Sequence, residues 1–334
     1  MTRERIMVTA SPHLATADST PVIMWSVVGS LVPVIAVAIG FFGPSAVLVI
    51  TAASAGAVLT EYWFGPRGAL MDGSAATTGI LLGLTLPPGL PLWMALVGGA
   101  FGIALGKLVF GGLGQNIFNP ALLGRAFIQA AFPVAMLTFP PVGGSWWSLR
   151  GDNLALPLMS PEAADAFTGA TPLGLMKFEQ TGTGTLNLLM GNVSGSIGET
   201  SGLLIVLCGG YLALRNFLNW RIPMSILLTV AMLSGLLHFL DATRYPSPWF
   251  MVFSGGLILG AIYMATDMVT SPVINLGCWV FGFGIGFLVV VIRTWGGLAE
   301  GVMYSILLMN ALVPFINRAT QPRVFGTRQR EVAS

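Results

Sequence analysis

The sequence predicts an all-α polytopic membrane protein of about ten transmembrane helices, arranged as a 5+5 inverted repeat with broken or half helices. Of the 334 residues, 54% are hydrophobic and only 8% are charged, whereas soluble domains carry roughly 25% charged residues. Ten apolar stretches approach the length of about 20 residues that crosses a bilayer. The 43 glycines suit helices that pack closely in lipid. These observations exclude a soluble enzyme, a disordered chain and a nucleic-acid-binding protein.

The predicted spans form two groups of five, separated by the long polar segment 139–197. The first group is 22–42, 44–64, 73–88, 90–110 and 117–138, and the second is 198–216, 222–240, 249–266, 273–292 and 301–318. Two five-helix repeats, 22–138 and 198–318, thus lie between an N-terminal segment, 1–21, and a tail, 319–334. The first apolar run is too long for a signal peptide and lacks a small-residue cleavage site, so we expect the N-terminal segment to stay attached.

The distribution of lysine and arginine predicts the orientation of the chain. With a cytoplasmic N-terminus, 11 of the 15 basic residues lie inside and 4 lie outside. The inside positions are Arg3, Arg5, Arg67, Lys107, Arg125, Arg215, Arg221, Arg318, Arg323, Arg328 and Arg330. The positive-inside rule therefore places both termini in the cytoplasm and the net acidic 139–197 loop outside.

The two halves share short matches at an offset of 185 residues. Thr85–Pro87 falls on Thr270–Pro272, and Gly111–Leu113 falls on Gly296–Leu298. Five spans per half is an odd number, so related halves would run in opposite directions across the membrane. Proline-interrupted segments at matching places of such halves are typical of a pathway near the bilayer midplane, although ordinary turns between helices would also explain them.

Few side chains predict catalysis or metal binding. His13 and His238 lie far apart and lack spaced cysteine or carboxylate companions, so no metal site is expected. Cys208 and Cys278 lie within apolar runs and are interpreted as core residues and not as a disulfide. No catalytic residue is assigned, because the sequence has no Ser-His-Asp order, nucleophile elbow or P-loop.

The polar loop contains a predicted helix start at Thr171-Pro172, with threonine as the N-cap and proline at the first helical position. Leu173, Leu175, Met176 and Phe178 would give this short helix an apolar face. The Thr171 hydroxyl would then lie at the positive end of a helix, where a phosphate is stabilised. An ordinary capped surface helix explains the same local pattern.

The residues around Thr171 match a known modification motif. Asp165, Thr168, Gly169, Ala170 and Thr171 fit the pattern Asp-x-x-Ser/Thr-Gly-Ala-Thr. This is similar to the motif at which a flavin transferase joins FMN to the last threonine through a phosphodiester. The transferase acts on the outer face of the bacterial inner membrane, which is the side that the charge count gives for this loop. The motif thus implies covalent FMN at Thr171.

Blocks along the chain resemble the RnfD/NqrB family of flavin-carrying membrane subunits of ion-translocating electron-transfer complexes. The blocks are Gly73–Gly79, Leu84–Pro87, Phe110–Leu122, Gly195–Ser201 and Tyr304–Arg318, and the resemblance covers about 20–318. The short segment before the first span favours an RnfD-like chain, because NqrB-like chains carry some tens of additional residues there.

The resemblance implies a subunit of a complex that couples electron transfer between ferredoxin and NAD to movement of Na⁺ or H⁺. It also implies a urea-channel-like fold in the bacterial inner membrane, and a second, noncovalent riboflavin on the cytoplasmic side. The implied partners are the other membrane and peripheral Rnf subunits, the flavin transferase during maturation, and the lipid bilayer. Other subunits must handle ferredoxin and NAD, because this chain has no nucleotide-binding glycine motif or iron–sulfur cysteine set.

Polar residues near the fifth span are candidates for a flavin environment, namely Asn116, Asn119 and Arg125. Asn119 followed by Pro120 is more simply interpreted as a helix N-cap. Arg125 lies within the predicted span, where an arginine normally faces protein, an anionic group or water.

Two further pairs have mainly structural interpretations. Ser196 and Glu199 are predicted to form a capping box that opens the sixth span. Trp146 and Trp147 fit an interfacial aromatic belt better than a shield for a flavin ring.

Four acidic residues lie within or beside predicted spans, namely Glu61, Asp72, Asp267 and Glu300. Each would cost roughly 3 kcal/mol at mid-bilayer on insertion scales, and at an interface none would need a functional explanation. Asp267 and Glu300 are the candidates for an ion pathway. Asp267 is favoured because it lies beside the interruption at Thr270–Pro272.

Two other functions are compatible with the sequence. One is an NqrB-type subunit of a Na⁺-translocating NADH:quinone oxidoreductase. The other is a channel or transporter for a small polar solute, which would also suit an inverted repeat. A purely structural scaffold would leave the flavin-acceptor motif without a role.

Overall fold

The structure, a computed structural model, describes residues 18–66, 68–140, 146–157, 171–179, 181–191, 193–199 and 201–322. Regular structure in these residues is helical. The helices are α1 (Thr20–Phe42), α2 (Pro44–Phe64), α3 (Ser74–Thr85), α4 (Leu92–Ile103), α5 (Pro120–Ala131), α6 (Pro133–Leu137), α7 (Pro172–Gly174), α8 (Thr185–Met190), α9 (Gly202–Leu214), α10 (Arg221–Leu240), α11 (Pro248–Phe253), α12 (Leu257–Leu259), α13 (Asn275–Trp295) and α14 (Val302–Thr320). Turns of π-helix extend α4 over Ala104–Leu108, α7 over Leu175–Glu179 and α12 over Gly260–Met264.

Proline determines where many of the helices begin. Pro44, Pro120, Pro133, Pro172 and Pro248 each occupy the first turn of a helix, where the missing N–H costs no hydrogen bond and the fixed φ suits the helix. The α1–α2 break shows the effect most clearly. Its hinge glycine has φ 65°, a conformation that other residues rarely adopt, so two membrane-length helices follow each other with one residue between them.

Among the described residues, five helices are long and apolar enough to span a membrane, namely α1, α2, α10, α13 and α14. The prediction of a polytopic helical membrane protein is therefore confirmed. Several predicted spans are wrong in length. The third is the 12-residue α3, and the eighth is divided into α11 and α12 around Ser254–Gly256. Hydropathy marks such stretches as apolar but does not distinguish a crossing helix from shorter helices buried within protein.

The most extensive helix contacts lie within each half of the chain. In the first half α2 packs most extensively on α4, and α3 packs on α2. In the second half α10 packs most extensively on α13, and α11 packs on α10. The halves meet where α1 packs on α9 and α5 packs on α14. One continuous cluster of buried apolar side chains includes residues of both halves.

Glycines permit the close approach of the principal helix pairs. A Cβ at Gly56 or Gly99 would collide with backbone atoms across the α2–α4 contact, and a Cβ at Gly282 or Gly286 would crowd α10. Backbones that lie this close gain van der Waals contact, which replaces the hydrophobic driving force that lipid does not provide.

We expect Gly56→Ala to lower the free energy of unfolding by about 1–3 kcal/mol, because its methyl group would overlap the Leu96 carbonyl. Gly40→Ala is the matched control, since a Cβ there meets nothing within 4 Å. Thermal unfolding of the two variants in detergent measures the difference. Equal unfolding temperatures would show that α2 and α4 do not pack as described.

Candidate functional site

Thr171 begins α7 in the geometry that the sequence predicts. Its backbone is extended, its Oγ1 accepts a hydrogen bond from the backbone N–H of Gly174 at 3.1 Å, and Pro172 follows at the first helical position. The predicted N-cap is thus confirmed. The predicted apolar face is only partly correct, because Leu173 is buried whereas Phe178 is 72% exposed. Asp165, Thr168, Gly169 and Ala170, the rest of the modification motif, lie outside the described residues.

Side-chain contacts fix the α7 helix to the second half of the chain. Leu173 packs with Leu188 and Phe250 in a small buried apolar cluster. Lys177 Nζ donates to the carbonyls of Gly296 and Leu298 at 2.5 and 2.8 Å, beyond the C-terminal end of α13. A lysine in this position satisfies free carbonyls and complements the helix dipole. Thr171 is therefore held against the connection between α13 and α14.

A cavity beside Thr171, called here the Thr171 cavity, has about 590 Å³ of empty space including its solvent-open part. Its charged and polar lining consists of Thr171, Arg125, Gln129, Glu199 and Glu300. The remaining lining is mostly apolar, with Met136, Leu137, Phe139, Pro172, Leu173, Gly255, Leu298 and Ala299. This is an apolar enclosure with a few converging polar groups.

An ion pair between the two halves borders this cavity. Arg125 Nη2 of α5 donates to Glu300 Oε2 at 2.7 Å, and the other carboxylate oxygen accepts from the backbone N–H of Gly256 at 2.7 Å. The side chains of Arg125 and Glu300 are 10% and 21% exposed. Arg125 Nε is buried with no hydrogen-bond partner in the described part of the chain.

Arg293 and Glu199 complete a group of four charges. Arg293 is 5% exposed and donates to the carbonyls of Met251 and Ser254 at 2.6 and 2.9 Å. Both arginines stabilise the Glu300 carboxylate strongly enough to outweigh its burial, so the pKa of Glu300 is lowered.

Glu199 lies in a single 3₁₀ turn, Ile197–Glu199, that precedes α9. It accepts a hydrogen bond from Ser196 Oγ at 2.7 Å. Burial, with a further contribution from the negative charge of Glu300, raises the pKa of Glu199 to about 7. The predicted capping box at the sixth span is wrong, because α9 begins at Gly202 and its N-cap is Ser201, whose side chain accepts from the Leu204 N–H.

Arg125 connects positions that the charge count places on opposite sides of the membrane. The count places Arg125 on the cytoplasmic side, whereas its side chain lines the same cavity as Thr171, which the count places outside. The count uses sequence position alone, whereas a long side chain reaches the neighbour that neutralises it. Counted with the other side, Arg125 would leave ten basic residues against five, and the charge asymmetry would keep its sign.

Asn119 forms a junction between helix ends from the two halves. Its Oδ1 accepts from the N–H groups of Ala121 and Leu122 at 3.0 and 3.3 Å, and its Nδ2 donates to the Met264 carbonyl at 3.2 Å. The cap interpretation of Asn119 is therefore confirmed. Asn310, with its amide oriented to satisfy its neighbours, accepts from the N–H of Asn119 and donates to the Thr270 carbonyl, both at 3.2 Å.

A second cavity, called here the Asp267 cavity, adjoins the Asn119 junction and has a volume of about 800 Å³ including its solvent-open part. Its polar and charged lining groups are Ser74, Thr77, Thr78, Lys107, Asn116, Asn119, Tyr263, Thr266 and Asp267. Asn116 Oδ1 is buried and has no hydrogen-bond partner among the described residues. Within the described ranges Asp267 accepts two long hydrogen bonds, from the N–H of Val269 and from Thr270 Oγ1, both at 3.3 Å.

The other acids near predicted spans form ion pairs with lysine or arginine. Lys107 binds Glu61 Oε1, and its Nζ lies 3.7 Å from Asp72 Oδ2. Glu300, one of the two ion-pathway candidates, binds Arg125. Sequence reasoning missed the roles of Lys107 and Arg293, although a basic residue within an apolar run was the available signal. Trp146 and Trp147 pack edge to face, and Trp146 Nε1 donates to the Ile39 carbonyl. Neither lines the Thr171 cavity.

The fold and these two cavities define a polytopic helical membrane protein whose polar groups are concentrated where its helices are interrupted. Comparison with known proteins is consistent with this description. The chain matches the model of the NQR2, RnfD, RnfE family over residues 7–326, and it belongs to that family.

Similar proteins in three organisms carry related names, each describing the D subunit of a complex. The chain is 41% identical to that of the "Proton-translocating ferredoxin:NAD(+) oxidoreductase complex" of Clostridium ljungdahlii, over 96% of each chain. It is 40% identical to that of the "Ion-translocating oxidoreductase complex" of Stutzerimonas stutzeri, over 92% of each chain. It is 38% identical to that of the "Na(+)-translocating ferredoxin:NAD(+) oxidoreductase complex" of Acetobacterium woodii, over 98% of this chain and 97% of that protein.

Glu199 should make the stability of the protein depend on pH. Its pKa is raised from 4.5 to about 7, so the folded chain binds the proton more tightly than the unfolded chain. The resulting stability is fully present below pH 4.5 and is lost as pH rises through about 7. In Glu199→Gln we expect this loss of stability to be smaller by roughly 1–3 kcal/mol, because glutamine does not bind the proton. The measurement compares the unfolding temperatures of the variant and the unaltered protein between pH 5 and pH 8.

Glu179→Gln is the matched control for this measurement, because Glu179 is exposed. It should keep the pH dependence of the unaltered protein. An unchanged pH dependence in Glu199→Gln would contradict the assignment.

Proposed function

We propose that this chain is the D subunit of an Rnf-type complex, which couples electron transfer between ferredoxin and NAD to translocation of Na⁺ or H⁺. Membership of the family and the names of its relatives support this assignment. In this proposal the chain is a subunit of a translocase and has no complete active site of its own. Its partners are the other Rnf subunits in the bacterial inner membrane.

The chain would carry FMN covalently at Thr171. The observation that carries this proposal is the position of the Thr171 hydroxyl, at a helix start beside a cavity with an apolar lining and a few converging polar groups. The orphaned Nε of Arg125 in the same lining fits a bound group that supplies a hydrogen-bond acceptor. The motif at Asp165, Thr168, Gly169 and Ala170 would direct a flavin transferase to this threonine.

FMN supplies one- or two-electron transfer when bound, and the protein supplies position and electrostatics. Thr171 would hold the phosphate end through its oxygen, and the anchored α7 helix would keep that oxygen in place. The apolar lining at Met136, Leu137 and Phe139 would exclude water from the ring. A covalent tether prevents loss of the cofactor by dilution, which matters if the loop lies outside the cytoplasm as the charge distribution indicates.

The second cavity would hold the noncovalent riboflavin. It is lined by apolar groups and by hydrogen-bonding side chains, among them Thr77, Asn116 and Asp267. The unpartnered Asn116 Oδ1 suits a donor such as a ring N–H or a ribityl hydroxyl. With both flavins present, the carriers would lie on either side of the Asn119 junction.

We also propose the 5+5 inverted repeat with its urea-channel-like plan. Thr85–Pro87 precedes α4 and the matching Thr270–Pro272 precedes α13, which are the corresponding partners of the two principal helix pairs. Gly111–Leu113 follows α4, and Gly296–Leu298 follows α13. The connection that precedes α4 contacts the 150–153 loop through Asn153. The connection that precedes α13 adjoins the Asp267 cavity.

Thr171→Ala should remove the flavin, because no oxygen would remain for the phosphodiester. The test uses cells that contain the flavin transferase, with in-gel flavin fluorescence and mass spectrometry of the peptide that contains residue 171. Thr181→Ala is the control, since Thr181 is an exposed threonine of the same loop, and it should keep the fluorescent band. A dark band and an unmodified mass in the unaltered chain would refute flavin attachment.

Asp267 is the candidate for the ion pathway, because it lines a cavity and, among the described residues, forms no ion pair. Asp267→Asn should lower Na⁺ or H⁺ uptake by at least tenfold in vesicles with the assembled complex, while flavin stays attached. Asp72→Asn is the comparison variant, because Asp72 is a nearby acid held by Lys107. Unchanged uptake in Asp267→Asn would remove Asp267 from the pathway.

A further inference from the structure

One guanidinium group, that of Arg125, and two carboxyl groups, those of Glu199 and Glu300, line the Thr171 cavity, and a second guanidinium group, that of Arg293, lies near Glu300. Glu300 is close to both arginines, and it pairs directly with Arg125. Glu199 is buried beside Glu300, and this environment raises its pKa to about 7. Below about pH 7 Glu199 is therefore mostly protonated, and the group of four carries an excess positive charge.

Arg125 is incompletely hydrogen-bonded. Its Nη2 binds Glu300, but its Nε is buried without a partner among the described residues, and the residue is only 9% exposed. A buried donor without an acceptor destabilises the fold, and native proteins seldom leave one. Because Arg125 lines the Thr171 cavity, an acceptor bound in that cavity would complete its hydrogen bonding.

We propose that Arg125, oriented by Glu300, donates a hydrogen bond to the pyrimidine edge of the flavin ring and raises the reduction potential of that flavin. This inference rests on the proposed attachment of FMN at Thr171. An electron from a one-electron carrier, an iron–sulfur or flavin centre, adds one negative charge to the ring. Arg125 keeps its charge, and no bond in the chain forms or breaks. A fixed guanidinium in an apolar cavity stabilises the added charge more strongly than water would.

Glu300 orients the guanidinium without cancelling its effect. Its second oxygen is held by the Gly256 N–H at 2.7 Å, so the carboxylate is fixed at the start of α12. Its negative charge is shared with Arg293, and Arg125 is therefore not fully neutralised. Arg125, Arg293 and Glu300 together carry one excess positive charge, and Arg125 is the cation that lines the cavity, held in a fixed position as preorganised electrostatic stabilisation requires.

The test compares variants of the full-length chain matured with the flavin transferase. Arg125→Gln combined with Glu300→Gln removes both charges together and leaves no unpaired carboxylate. Arg125→Lys keeps the ion pair but loses Nε. Arg244→Gln is the control, because Arg244 is exposed and does not line the Thr171 cavity.

Two readouts separate attachment from tuning, namely in-gel flavin fluorescence and a redox titration followed by flavin absorbance. We expect every variant to keep its fluorescent band. At a fixed ambient potential, the ratio of reduced to oxidised flavin should be at least tenfold lower in the double variant. This corresponds to a fall in the reduction potential of about 59 mV for a one-electron couple. Arg125→Lys should shift the potential in the same direction by less, and Arg244→Gln should not shift it.

A fluorescent band with an unshifted potential in both Arg125 variants would overturn this inference and leave flavin attachment standing. A potential that rises would also overturn it. If the double variant does not fold, Arg125→Lys alone decides by the same criterion. A dark band in the unaltered chain would instead refute the proposed attachment, and this inference with it.

Discussion

The ion pair between Arg125 and Glu300 is the interaction on which the arrangement of the two halves depends. It joins α5 to the loop before α14, and the Gly256 N–H adds a third segment to the same carboxylate. Removing one partner of a buried pair leaves an uncompensated charge, at a typical cost of about 3–5 kcal/mol. The favoured relative position of the two halves is therefore the one in which Arg125 and Glu300 form their ion pair. Because both side chains also line the Thr171 cavity, the contact that aligns the halves also gives the candidate site its charge.

Interrupted helices explain why the polar groups collect in two places. A helix that ends within an apolar environment leaves backbone N–H and C=O groups that need partners. Asn119 satisfies the start of α5 and the Met264 carbonyl together, and Asn310 connects Asn119 with Thr270. These side chains are present because the helices are broken. They also supply the hydrogen-bonding groups beside the Asp267 cavity, so the structural requirement and the candidate binding site share one set of residues.

Predictions from local pattern were accurate where the interaction itself is local. Thr171 and Asn119 are N-caps as expected, because a cap joins a side chain to N–H groups two or three residues ahead. The prediction failed for Ser196 and Glu199, where Ser201 caps α9 instead. It also failed for the third and eighth spans, since a hydropathy profile does not report whether lipid or protein surrounds an apolar stretch. The contact between Arg125 and Glu300 was not predicted, because the two residues lie 175 positions apart in the chain.

The sequence by itself determined that the protein is helical and polytopic, that Thr171 and Asn119 cap helices, and the family to which the chain belongs. Composition does not depend on how the helices pack, and a helix cap joins residues that are close in sequence. Both features are therefore independent of the arrangement of the helices. Only the tertiary structure decided that Arg125, Glu199, Arg293 and Glu300 form one group of charges, and that Thr171 lies beside it. Burial and Coulomb interaction depend on which distant segments meet, and that is set by the packing of complete helices.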